Sequence, residues 1–354
     1  MEKSIISEFA MLDSHIRKQN LFNGHILVAK EDNIWYSSSF GYASIRDKLP
    51  INEDSIFELA SITKTFTAYA TLLLCKEYNV SLDTDISTYF ESFPYEGVCI
   101  EHLLRHTSGL PDYMELFIKD WDPTRIAKNK DVLKMLSTSK PTLNFASGTN
   151  WEYSNTGYVL LAMILEKISG LTFNEVLQKT IFQPLGMQHS AVYNRRVCDA
   201  KISNYAYGYI KNPTSDIIEL PDNIPGYELV YFLDGIYGDG AISSSAIDLL
   251  KWNNAVLKNE LPEDVLEMMF TQSKLEDDRI IPYGIGWFLD TDSDLGTIAH
   301  HSGGWPGYMN NNVVYLEQDI SIIILCNQPN DIEQVQKIQD AIELITFQRN
   351  YSFP

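Results

Sequence analysis

Two sets of apolar runs at opposite ends of the chain constrain its fold more than anything between them. Gly24-His25-Ile26-Leu27-Val28-Ala29-Lys30 and Ile34-Trp35-Tyr36-Ser37-Ser38-Ser39-Phe40-Gly41, joined by the polar turn Glu31-Asp32-Asn33, read as a β-hairpin. Toward the other end, Tyr283 to Leu289, Gly296 to His300, Met309 to Leu316 and Ile320 to Cys326 read as strands. Helical spacing at Phe9, Leu12 and Ile16 predicts a helix over Ile5 to Gln19, and a final helix covers Asp331 to Phe347. From about Val80 to Leu257 the pattern changes to helices and long loops. The helices fall at Cys99 to His106, Asp131 to Leu136, Gly157 to Ile168, Phe173 to Ile181 and Ser245 to Leu257, the last after the glycine-rich Tyr237-Gly238-Asp239-Gly240. The proline-bearing Lys211 to Pro225 reads as a surface excursion. The prediction is an α+β fold, an α/β sandwich whose antiparallel sheet is built from both chain ends and flanked by terminal helices, with a mostly helical domain inserted. The sheet domain is placed at residues 1–78 and 270–354 and the inserted domain at 79–269, with the ligand site in the cleft between them.

Charge limits the partners. The chain has 27 basic and 47 acidic residues and a net charge of −20, a field that repels nucleic acid and anionic membranes and would require a local positive patch for an anionic substrate. With 354 residues and 45% hydrophobic content, it can bury a large core. Cys75, Cys99, Cys198 and Cys326 show no C-x-x-C spacing, so neither a zinc site nor a dithiol centre is indicated, and each is expected to be a small buried hydrophobe. No stretch approaches the roughly 18 apolar residues of a membrane span. Met1 to Asn20 lacks the apolar run of a signal peptide, so the expectation is cytoplasmic, although an exported protein with its leader removed would read the same.

The chemistry begins in Phe57 to Leu74. Ile62, Phe66, Ala70 and Leu73 recur at helical spacing and predict a helix with one buried face, with Ser61 at its start. Serine there reads either as a cap or as a nucleophile. The cap reading leaves Lys64 unexplained, since a residue three positions on shares the helix face and brings an amine to the serine oxygen; a capped surface helix and a nucleophile with its base both stay open on this motif alone. A second Ser-x-x-Lys, Ser137 to Lys140, precedes Pro141, which biases Lys140 away from helical geometry.

Two more segments add candidates. In Trp151-Glu152-Tyr153-Ser154-Asn155, Tyr153 offers a phenol that could take the serine proton. Asn155 could hold a substrate carbonyl or Lys64, or cap the next helix. In His300-His301-Ser302-Gly303-Gly304-Trp305, the glycines would let backbone N–H groups approach a ligand, as an oxyanion hole requires, and the paired histidines find no third ligand for a metal. Trp151, Trp305 and Tyr113 are aromatic candidates for pocket walls, and Trp305 is placed beside the acyl site because it follows the proposed oxyanion strand.

Ser61-Ile62-Thr63-Lys64, Tyr153-Ser154-Asn155 and His301-Ser302-Gly303, in that order, resemble the three motifs of the penicillin-recognising serine hydrolases. The branch is that of class C β-lactamases, D-alanyl-D-alanine carboxypeptidases and related esterases. Leu103-Leu104-Arg105-His106-Thr107-Ser108-Gly109-Leu110-Pro111, Leu185-Gly186-Met187 and Tyr283-Gly284-Ile285-Gly286-Trp287 also resemble family signatures, so the likeness spans roughly residues 5 to 345. It implies that Ser61 forms an acyl-enzyme, that Lys64 and Tyr153 act as a coupled base, and that the N–H groups of Ser61 and Gly304 bind the oxyanion while Asn155 orients substrate. It implies no cofactor. The chain departs from the pattern in having His301 where β-lactamases carry lysine and in having Ser147 where the family usually has proline. A histidine, half-protonated near its unperturbed pKa of about 6.5, offers less positive charge to a substrate carboxylate, which favours an esterase or peptidase over a β-lactamase. The alternatives are β-lactamase or penicillin-binding activity, and a non-catalytic scaffold or ligand sensor.

Overall fold

The structure, a computed structural model, describes residues 2–328 and 332–349. Six strands make one antiparallel sheet. In chain order they are β1 (Gly24–Lys30), β2 (Asn33–Phe40), β3 (Phe288–Asp292), β4 (Gly296–Trp305), β5 (Tyr308–Tyr315) and β6 (Ile320–Cys326). Across the sheet they lie β3-β4-β5-β6-β1-β2, so β6 against β1 joins the two halves, with Gly24 opposite Cys326 and Lys30 opposite Ile320. The expected sheet is present, with both ends of the chain in it.

Seven helices bear on the site and its support: α1 (Glu2–Gln19), α2 (Thr63–Glu77), α3 (Asn129–Ser139), α4 (Asn155–Ser169), α5 (Phe173–Leu177), α6 (Ala246–Leu257) and α7 (Ile332–Thr346). Alternate side chains of a strand point to opposite faces. Ile26, Val28, Ile322 and Ile324 accordingly pack with Phe9, Leu12, Ile338 and Ile342 of α1 and α7. Leu27, Ala29, Ile323 and Leu325 join the larger core on the other face, with Phe66, Leu160 and Trp252. Covered on both faces, β1 and β6 read as unbroken apolar runs.

Several local expectations are corrected. α2 is buried nearly all round, from Thr63 through Leu72, because α4, α5 and the helix Glu263–Met269 enclose it. Its threonines satisfy themselves on backbone oxygens, Thr65 on Ile62, Thr71 on Thr67, and Thr67 on Gly238 across the interface. Tyr283 to Trp287 bends instead of running extended: Gly284 N–H returns to Trp287 O, and Gly286, at φ +81°, comes so close that a Cβ there would lie 2.6 Å from Ala68 Cβ. β4 continues past His300 to Trp305, which puts the whole third motif within the strand. Phe173 to Ile181 divides into α5 and a π-helical turn at Gln178–Phe182. Ile210–Lys211 and Ile218–Glu219 form a small ribbon inside the expected surface excursion. The final helix is α7, and Asp331, where it was expected to begin, lies outside the described residues. Cys75 and Cys326 are buried, but Cys99 is half-buried and Cys198 lies in the exposed run Val197 to Lys201. Among the described residues, no single helix is long and apolar enough to cross a membrane.

Candidate active site

Ser61 sits in the single 3₁₀ turn Ala60–Ile62 that leads into α2. Its side chain caps nothing: the first residues of the helix take no side-chain cap. Ala60 holds φ +48°, a conformation costly for a side-chain-bearing residue, and Ala241 on the facing loop holds φ +76°. Strained alanines thus stand on both sides of the serine. Lys64 is fully buried one turn along.

The lysine explains how it can be buried. Its Nζ lies 3.1 Å from Ser61 Oγ, 2.9 Å from Asn155 Oδ1 and 2.9 Å from the main-chain oxygen of Asp239. Three oxygens meet the three directions in which an amine nitrogen can bond, which offsets the desolvation of the group. Asn155 is held in turn, because its Nδ2 donates to Asp112 Oδ2 at 2.8 Å. It does not cap α4; Ser154 does, accepting from Gly157 N–H. The second Ser-x-x-Lys is not built this way: Lys140 ends α3 in the left-handed region at φ +43°, and Ser137 bonds to Lys134 O.

Tyr153 comes to the same place by its ring. Lys64 Nζ lies 4.8 Å from the ring centroid, a cation–π contact when the amine is charged, and the phenol hydroxyl is buried with no hydrogen bond among the described residues. Around it pack His106, Phe288 and His301, with ring centroids 4.5, 6.2 and 6.0 Å away. Trp151 lies in this aromatic group, 6.2 Å from the His106 ring.

His301 is 1% exposed, and its Nδ1 lies 2.7 Å from the carbonyl of Ser302. A carbonyl only accepts, so Nδ1 carries the proton and Nε2 is bare. Burial, reinforced by the nearby Lys64, pushes the His301 pKa down to about 3. The half-charged histidine of the sequence reading is therefore corrected to a neutral one. His106 has the opposite tautomer: Ser154 N–H donates to its Nδ1 at 3.0 Å, and burial holds its pKa well below the usual value. His300, one residue from His301, points to the other face of β4 and meets Asp290 at 3.1 Å, so the pair cannot close on one ion. Among the described residues no group of three His, Cys, Asp or Glu could hold a metal ion.

Beside His301 the strand closes on the serine turn. A Cβ at Gly303 would lie 2.0 Å from Leu59 O, whereas at Gly304 it would meet nothing within 4 Å. Gly303 allows the approach, and Gly304 opens onto a cavity. That cavity is lined by Ser61, Gly304, Trp305, Tyr113, Asp239 and Gly240 among others. Of the aromatic candidates, Tyr113 and Trp305 therefore face Ser61, while Trp151 does not line the cavity. Ser302 is exposed on β4 and offers its carbonyl to His301.

A β-lactamase family profile matches residues 11–347, nearly the whole chain. The chain belongs to the β-lactamase family. Penicillin-binding protein 4* of Bacillus subtilis strain 168 is 40% identical over 338 residues, covering 95% of this chain and 75% of that protein. A D-aminopeptidase of Gluconobacter oxydans strain 621H is 23% identical, covering 86% of this chain and 55% of its own length. The crystal structure of a penicillin-binding protein from Bacillus halodurans superposes with a TM-score of 0.80 at 28% identity, covering 94% of this chain and 98% of that one. In this family member the sequence reading missed Asp239, Asp112 and His106 as parts of the site. His106 had a signal in its Leu-Leu-Arg-His-Thr-Ser-Gly setting, and Asp239 in its flanking glycines; Asp112 had none.

Proposed function

We propose that this β-lactamase-family chain is a serine acyl hydrolase that cleaves small ester, amide or peptide substrates through an acyl-Ser61 intermediate. The contact that carries the reading is Lys64 Nζ at 3.1 Å from Ser61 Oγ. Two of the amine's bonding directions are committed to Asn155 Oδ1 and the Asp239 carbonyl, neither of which can give a proton. The third points at Ser61. In its neutral form Lys64 takes the serine proton along that direction as Oγ attacks the substrate carbonyl. The oxyanion falls to the backbone N–H groups of Ser61 and Gly304. Tyr153, whose hydroxyl is uncommitted, passes a proton to the leaving group and later takes one from the deacylating water. Asn155 fixes the lysine. The reaction occupies the cleft between the sheet domain, residues 1–78 and 270–354, and the inserted domain, residues 79–269.

The similarity to a penicillin-binding protein supports slow acylation by penicillins as a second reading. A scaffold has no use for a buried lysine aimed at a serine. The test is intact-protein mass after brief exposure to p-nitrophenyl butyrate, a penicillin or a D-alanyl peptide ester, with Ser61→Ala as control. One added acyl mass, or turnover, that vanishes in the variant is expected. Folded wild-type protein inert to all three, or adducts that persist in Ser61→Ala, would overturn the reading.

A further inference from the structure

Asn155 meets Lys64 with an oxygen, and a neighbour decides that it is an oxygen. The two ends of a side-chain amide have the same shape but opposite roles, one accepting and the other donating. Asn155 Nδ2 donates to Asp112 Oδ2 at 2.8 Å, with the weakly accepting Met114 Sδ at 4.0 Å, so Oδ1 is left for Lys64 Nζ at 2.9 Å. Asp112 is itself held. Its Oδ1 accepts from Met114 N–H at 2.8 Å and caps the helix Tyr113–Asp120. Tyr113 N–H donates to Thr156 Oγ1 at 2.8 Å, and that hydroxyl donates to Pro111 O at 2.7 Å, which straps the backbone on both sides of Asp112 to α4. Asp112 does not line the cavity that Ser61 opens into. From this chain of contacts we infer that Asp112 is a positioning residue for acylation: by fixing which end of Asn155 faces Lys64, it keeps the lysine lone pair aimed at the Ser61 hydroxyl. The inference rests on the hydrolase reading above and adds a residue to its machinery.

A neutral amine has two N–H groups and one lone pair. Asn155 Oδ1 and the Asp239 carbonyl can only accept, so they take both N–H groups, and the lone pair is left facing the proton of Ser61. An inverted Asn155 changes the count. Its Nδ2 would donate to Nζ, occupy the lone pair and turn an amine N–H toward Ser61 Oγ, so the lysine could no longer take the serine proton as Oγ attacks. Asp112 blocks that inversion. An ionised carboxylate has no proton to give, and an inverted amide would set Oδ1 against Oδ2, two acceptors at hydrogen-bonding distance. An amide at position 112 does the reverse. With its Oδ1 committed to the Met114 cap, the other end of an asparagine there is an NH2 group, a donor facing Asn155. It would draw Asn155 Oδ1 toward itself and invert the amide. A carboxylate at this position is therefore a requirement of the chemistry, whereas the cap accepts aspartate, asparagine or serine alike.

The experiment compares Asp112→Asn with Asp112→Ser in single-turnover stopped flow at pH 7, using whichever of the three donors named above acylates wild type fastest. Serine caps the helix but is too short to reach Asn155, so it frees the amide without inverting it. Both variants should melt close to wild type. Asp112→Asn, the closer match in shape, is expected to be the worse enzyme, with acylation slowed roughly 10–100-fold, the worth of a hydrogen bond to a charged group, and Asp112→Ser falling in between. The loss should lie in the acylation rate constant and leave the apparent Kd for the donor unchanged. A merely structural role would give the opposite order, with the isosteric asparagine the milder change. Asp112→Asn acylated as fast as wild type, asparagine milder than serine, or a loss carried by weaker donor binding overturns the inference and leaves the hydrolase standing. Folded wild-type protein inert to all three donors overturns both. Where one variant fails to fold, the other decides alone: slower acylation at unchanged Kd supports the inference, and the wild-type rate overturns it.

Discussion

A buried lysine held by three oxygens is a commitment at a single residue. Lys64→Met would leave Ser61 Oγ, Asn155 Oδ1 and the Asp239 carbonyl without their partner and the serine without the base proposed for it. Acylation by p-nitrophenyl butyrate, followed by stopped flow, is expected to slow by roughly 10²–10⁴-fold, the usual contribution of a general base. Loss of less than about tenfold would assign the proton transfer elsewhere. At this scale the sequence was informative where contacts are local. Ser61 and Lys64 share one helical turn, so their spacing announces their meeting. Asn155, 91 positions from Lys64, could be read as holding the lysine only as one choice among three, and Asp239, 175 positions away, carried no more than its flanking glycines. An aspartate between two glycines looks like any turn, and the charge state of His301 depends on neighbours that only folding supplies.

Between elements, the decisive approach is that of β4 to the turn before α2. Gly303→Ala would drive a methyl to 2.0 Å from Leu59 O, a backbone atom that cannot rotate away, whereas Gly304→Ala meets open space. Gly303→Ala is expected to lower the stability by about 1–3 kcal/mol, as overpacking does, and to abolish acylation. Gly304→Ala should melt within a degree or two of wild type. Thermal melts of the two variants check this, and equal melting temperatures would refute the close approach. Sequence pattern foretold β1, β2, β5 and β6: β1 and β6, covered on both faces, are nearly continuous apolar runs, while β2 and β5 are marked by the turns that join them to those runs. It could not foretell that α2 is enclosed on every side, since its buried threonines look polar until their backbone partners are known. Nor could it see the bend at Gly286, which a left-handed glycine and the proximity of α2 impose.

For the molecule as a whole, buried neutral histidines tie stability to pH. His25, 2% exposed between Ser37 and Ser39 on the β1–β2 hairpin, has its pKa pushed down to about 4 by burial. The folded-state value lies below the unfolded value of about 6.5, so the folded chain binds fewer protons in that window. Stability present above pH 6.5 is lost as pH falls toward 4, with His301 and His106 acting in the same direction. Glu58 works against them: its raised pKa makes folding more favourable as pH falls from 7 toward its ordinary carboxylate value. His25 alone is expected to remove on the order of 2 kcal/mol between pH 7 and 5. Urea titrations at the two pH values should show a smaller loss in His25→Gln than in wild type, and an equal loss would refute the assignment.

The joining of β6 to β1 also has a consequence in time. A ribosome releases Ser61 and Lys64 some 240 residues before Gly304, and β6 later still. Until then the first hairpin has an open edge and the serine has no strand beside it. Over that interval the nascent chain carries its proposed nucleophile without the strand that completes the site, which forms only when β6 closes the sheet against β1.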